Sequence, residues 1–77
     1  MNIYLLTQDE RRGYDTYDSC VVFAHSEDEA LQIHPNQIMG WDSRTWASGT
    51  ENVNVSYMGT NPKVTESGLI ISSFNAG

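Results

Sequence analysis

The sequence predicts a small α+β domain: an antiparallel β-sheet of about four strands, in the order β-β-α-β-β, with one short helix packed on one face. Three observations predict it. Four short runs are built from strand-forming residues, either as compact apolar stretches or with a period of two. One segment, Ser26-Glu27-Asp28-Glu29, carries a helix-start signal. The chain has 77 residues, which leaves room for one domain, residues 1–77, burying about 60% of its unfolded surface.

Ile3 to Thr7 is a compact apolar run and the first strand. Gln8 to Asp18 interrupts it with Gly13 and three aspartates, and Cys20-Val21-Val22-Phe23-Ala24 reads as the second strand. Two strands joined by a long polar segment predict a hairpin with an irregular connection. Ser26 at the cap with Glu29 three residues later forms a capping box. Glu27, Asp28 and Glu29 crowd the first turn, where the helix dipole favours negative charge. Ala30, Leu31 and Ile33 supply an inward face. Pro35 pushes the residue before it out of the α region, so the helix is expected over Glu27–His34. So short a helix does not hold alone in water and must dock on the sheet. Asn36 to Thr50 reads as an ordered loop whose Trp41 and Trp46 cover an edge of the core. Asn52 to Tyr57 alternates polar and apolar, the period of a half-buried strand. Asn61-Pro62 starts a turn, and Leu69 to Phe74 forms the fourth strand.

Ten acidic against four basic residues give a net charge of -6. That balance disfavours direct nucleic-acid binding, which rests on clustered Lys and Arg. The single Cys20 forms no internal disulfide, which suits the cytoplasm of a host cell. No apolar run approaches the roughly 18 residues of a membrane helix, and the opening Met1 to Leu6 lacks the basic flank and cleavage site of a signal peptide.

Catalytic and metal-binding patterns are missing from the residue spacing. Cys20, His25 and His34 are too few and too scattered for a structural zinc site. His25 precedes the helix cap, and His34 is expected at the helix C-terminus, where a partly positive imidazole suits the dipole. Cys20 reads as a small buried apolar side chain. Asp9 to Asp18 lacks calcium-loop spacing, and Asp15 with Asp18 lies on a loop poorly suited to an acid/base pair. The glycines form no phosphate-cradling pattern. The chain is therefore expected to be non-enzymatic, with no metal and no cofactor.

Seven of the ten acids fall within the first 29 residues. They form either a solvated surface or a partner-binding acidic face. Tyr14 and Tyr17 stand among them, either stacked on the sheet or exposed beside the acids, a mixture that suits a partner with basic grooves. Arg11-Arg12, flanked by Asp9 and Glu10, is expected to pair internally. The candidate partner-binding residues are Glu10, Tyr14, Asp15, Tyr17, Asp18, Glu27, Asp28 and Glu29. An exposed edge strand allows a monomer or a weak dimer.

The chain also resembles a family of small bacterial and phage-encoded proteins. The resemblance rests on Ile3-Tyr4-Leu5-Leu6-Thr7, Gly13-Tyr14-Asp15-Thr16-Tyr17-Asp18-Ser19, Ser26-Glu27-Asp28-Glu29-Ala30 and Ile33-His34-Pro35. It continues through Tyr57-Met58-Gly59 to the tail from Gly68 to Gly77. Leu31 and Asn36-Gln37 depart from the pattern, the first replacing a frequent basic residue. Proteins of this kind include inhibitors of CRISPR defence. The resemblance implies an anti-CRISPR protein that binds a type I CRISPR surveillance complex and blocks DNA access through an acidic and aromatic face. Its alternative is an accessory phage or prophage protein that binds another host or virion protein.

Overall fold

The computed structural model describes residues 1–36, 41 and 43–75. The elements are β1 (Asn2–Thr7), β2 (Thr16–Ala24), α1 (Glu27–Leu31), a 3-10 turn at Thr50–Asn52, β3 (Asn54–Thr60) and β4 (Gly68–Asn75). They form one four-stranded sheet in the order β3-β1-β2-β4, with each neighbouring pair antiparallel. The expected α+β class and the expected hairpin of the first two strands are both present.

Register decides which side chains share a face, because successive residues of a strand point to opposite sides. Tyr4 pairs with Val22, and Leu6 with Cys20. These four, with Ala24, face Ala30 of α1 and the buried Trp46, Ala47 and Val53. Leu6, Val22 and Trp46 are completely buried. Leu31, Ile33, Val55, Leu69 and Tyr17 pack around the margin of this core. The helix and the Trp46 loop thus cover one face of the sheet.

Three elements differ by two residues or more at an end from the sequence-based expectation, whereas β1 and β4 differ by a single residue at an end. β2 begins at Thr16, four residues before Cys20. Tyr17 pairs with Phe74 and Ser19 with Ser73, leaving Asp18 unpaired in a bulge. That extra residue breaks the period of two, so the strand looks like loop until its partner is known. The helix ends at Leu31 instead of His34, with Gln32 as its C-cap. His34 is drawn off the helix path and into the core, where it is buried. β3 begins at Asn54, since Thr50–Asn52 form the 3-10 turn, and it extends to Thr60. A second bulge leaves Met58 unpaired on β3, and a third leaves Ile70 unpaired on β4.

The helix start matches its signal. The Glu29 amide donates to Ser26 Oγ at 3.2 Å. The Glu29 carboxylate reaches one residue behind the cap and accepts from the His25 backbone N–H at 2.9 Å. The expected turn at Asn61-Pro62 closes through an Asn61 side chain that accepts from the Lys63 amide at 3.0 Å. Positions 37–40 and 42 of the tryptophan loop, and 76–77 of the tail, lie outside the described residues. No helix among the described residues is long and apolar enough to cross a membrane.

Candidate functional site

Gln8 organises the connection between β1 and β2. It is buried at 7% exposure, unusual for glutamine, and its amide is saturated. Nε2 donates to the carbonyls of Arg11 and Tyr17 at 2.7 and 2.8 Å, and Oε1 accepts from the Arg11 amide at 2.8 Å. The loop is therefore folded around a side-chain scaffold. Gly13 (φ +98°) and Asp15 (φ +61°) make the tight turn at its far end. Aspartate tolerates the left-handed region better than most residues. Thr16 Oγ1 donates to the Gly13 carbonyl at 2.9 Å, and the Asp15 amide donates to the Asn75 carbonyl.

This turn holds Tyr14 outward at 80% exposure, while Tyr17 turns inward. The two readings of the tyrosines are thus both realised, one by each residue. A surface hollow of about 470 Å³ is lined by Gly13, Tyr14, Phe74 and Asn75. Asn75 joins both nearby acids, since its side chain also donates to Asp18 Oδ1 at 2.8 Å. Rings continue inward from the hollow. Phe74 and Tyr17 lie 4.7 Å apart, Tyr17 and His34 6.4 Å, and His34 meets Trp41 at 5.3 Å and Trp46 at 6.3 Å. His34 therefore belongs to an aromatic cluster, not to the helix terminus expected from its position. Its Nδ1 accepts from the Asn36 amide at 2.8 Å.

The candidate acids fall into two separated groups. Asp15, Asp18 and Glu10 lie at the Thr16 end of β2, whereas Glu27, Asp28 and Glu29 follow Ala24 at its opposite end. A nine-residue strand spans about 27 Å between its terminal residues at the usual rise. One continuous acidic face does not arise from this placement. Glu10 and Glu29 are also engaged internally. Glu10 accepts from the amide and hydroxyl of Ser48 at 2.9 and 3.0 Å and pairs with Arg11 at 3.2 Å. Arg12 pairs with Asp9 at 3.5 Å, so the basic doublet is paired internally as expected. Glu27, Asp28, Asp15, Asp18 and Tyr14 remain exposed.

These contacts have a pH consequence. The Ser48 amide, then the Ser48 hydroxyl, and last the Arg11 guanidinium hold the Glu10 carboxyl below its ordinary 4.5. The His25 amide, followed by the His25 side chain, does the same for Glu29. A carboxyl lowered in the folded state contributes stability above its unfolded pKa, and this is lost as pH falls through the folded value. The urea midpoint should therefore fall on acidification below about 4.5. It should fall less steeply in the Glu10→Gln/Glu29→Gln double variant. An identical acid slope in the two proteins would dismiss the effect.

Cys20 is buried beneath α1, and loss of hydration pushes its thiol up to about 12, far from nucleophilic use. No three His, Cys, Asp or Glu side chains among the described residues converge as a metal site. The hollow is lined by the rings of Tyr14 and Phe74, with the Asp18 carboxylate held beside it by the Asn75 side chain. Such a site suits a guanidinium or ammonium group, attracted to ring faces and carboxylates together. Sequence reasoning missed Phe74 and Gln8. Phe74 is visible only once β4 is paired with the start of β2, and a buried glutamine carries no periodic signal. Comparison with known proteins adds no relative: no family model, no curated protein and no solved structure matches this chain.

Proposed function

We propose that the chain is a non-enzymatic inhibitor that inserts the Tyr14–Asp18 turn and Phe74 into a basic groove of a host nucleoprotein machine. The target class follows from the sequence resemblance: a type I CRISPR surveillance complex, whose channel holds nucleic acid with Lys and Arg. The observation that supports binding is the pre-ordered turn, which presents Tyr14 at 80% exposure beside Asp15 and Asp18. A turn fixed by Gln8, Thr16 and Asn75 loses little freedom on association, so more of the contact energy appears as affinity. Carboxylates beside the ring steer the protein toward cationic surfaces and disfavour wrong partners. The separated acids on α1 lie outside this contact.

The test is plating of a CRISPR-targeted phage on cells that express the protein, across several type I systems. Binding of the purified complex is measured in parallel at rising salt. Rescue in one system is expected, with binding that weakens as salt rises. Tyr14→Ala should weaken binding about thirtyfold, the effect of an aromatic anchor, and Asp15→Asn/Asp18→Asn should flatten the salt dependence. No rescue in any system would overturn the CRISPR target and leave the accessory-protein reading. Rescue untouched by these substitutions would overturn the site.

A further inference from the structure

The second face of the sheet is apolar too. Ile3 and Leu5 on β1 share it with Phe23 and Val21, their register partners on β2, and Val21 pairs onward with Ile71 on β4. None of these five belongs to the core beneath the helix. Ile71 is 64% exposed, and the other four are only half-buried. An antiparallel sheet with one solvated face normally alternates apolar inside with polar outside. β1 and the end of β2 instead read as strands covered on both faces. Around the apolar stripe the same face becomes polar: Thr7, Ser19, Ser56 opposite Leu5, and Ser73 opposite Ser19. An apolar centre with a polar rim is the arrangement of an interface.

We propose that this face packs against the same face of a second copy, giving a weak homodimer of two stacked sheets. Charge and size decide the occupant. No register-paired residue on the face is charged, although the chain carries -6 overall. A two-fold interface brings each central residue near its own counterpart, an arrangement that any central charge would oppose. A basic partner, by contrast, would find a carboxylate only at the margin, where Asp18 stands unpaired beside Ser19. Four strands and about 20 Å of strand length give about 400 Å² per copy, near 800 Å² in total. That is below a standard stable interface and matches transient association. The proposal is independent of the binding role of the Tyr14 turn.

Sedimentation velocity from micromolar to millimolar protein, at low and high salt, tests it. A reversible monomer–dimer equilibrium is expected that tightens with salt, because screening relieves repulsion between two acidic chains. This is opposite in sign to the salt effect expected at the Tyr14 turn, so the two readings fail separately. Ile71→Lys changes an exposed side chain and should keep the circular dichroism spectrum while weakening the dimer at least about tenfold. A monomer at millimolar concentration would overturn the proposal. So would a dimer that ignores Ile71→Lys but is lost in Ser72→Pro, which places the contact at the β4 edge instead.

Discussion

Trp46→Ala is expected to remove about 3–5 kcal/mol of stability, the range for truncating a large buried aromatic. A domain of this length holds only about 4–12 kcal/mol in total, so the loss is a large fraction of its stability. Trp46 is completely buried, and its ring closes the space between the sheet and the His34 cluster. Its indole Nε1 has no hydrogen-bond partner among the described residues. Trp46→Phe removes that unsatisfied donor together with part of the ring, and should therefore cost much less than alanine. Urea denaturation followed by circular dichroism separates the two variants. Equal losses would show that the ring is not filling the core as described.

Leu5 and Leu6 give the second large effect, as a contrast between adjacent identical residues. Leu6 is completely buried against Cys20 and Val55, whereas Leu5 lies on the open face beside Val21. Leu6→Ala should cost about 2–5 kcal/mol through lost burial and the cavity left behind. Leu5→Ala, measured at low protein concentration, should cost clearly less, because part of the Leu5 side chain already meets water in the folded state. A reversed order would mean that the sheet presents the other face to α1, a one-residue slip in register.

Those two leucines also show where sequence reasoning reaches its limit. Val53, Asn54, Val55 and Ser56 declare their faces by alternation, and β3 is legible for that reason. Ile3 to Leu6 and Cys20 to Ala24 are apolar at every position, so they announce a strand but not which side is covered. The Ser26–Glu29 start of the helix was legible because capping is local. Its end was not, because burial of His34 among Trp41, Trp46 and Tyr17 is decided by residues far along the chain. The candidate site divides the same way. Tyr14, Asp15 and Asp18 could be named from composition around a glycine turn. Phe74 and Asn75 join them only through the pairing of β4 with β2. The separation of Glu27 and Asp28 from that turn likewise follows from the length of β2, which the bulge at Asp18 conceals.

The strand order β3-β1-β2-β4 has a kinetic consequence. The central hairpin can close from nearby residues, but neither outer strand pairs with the strand that precedes it in the chain. β3 must find β1 and β4 must find β2, each closure enclosing more than half of the 77 residues. Topologies dominated by such distant pairings fold on the order of milliseconds to seconds. During that interval both margins of the hairpin display unpaired amides and carbonyls. At high concentration, an outer strand from a neighbouring molecule satisfies them as well as the chain's own. Exchange of β3 or β4 between two molecules is thus the characteristic misassembly of this topology, and dilution during refolding is what suppresses it.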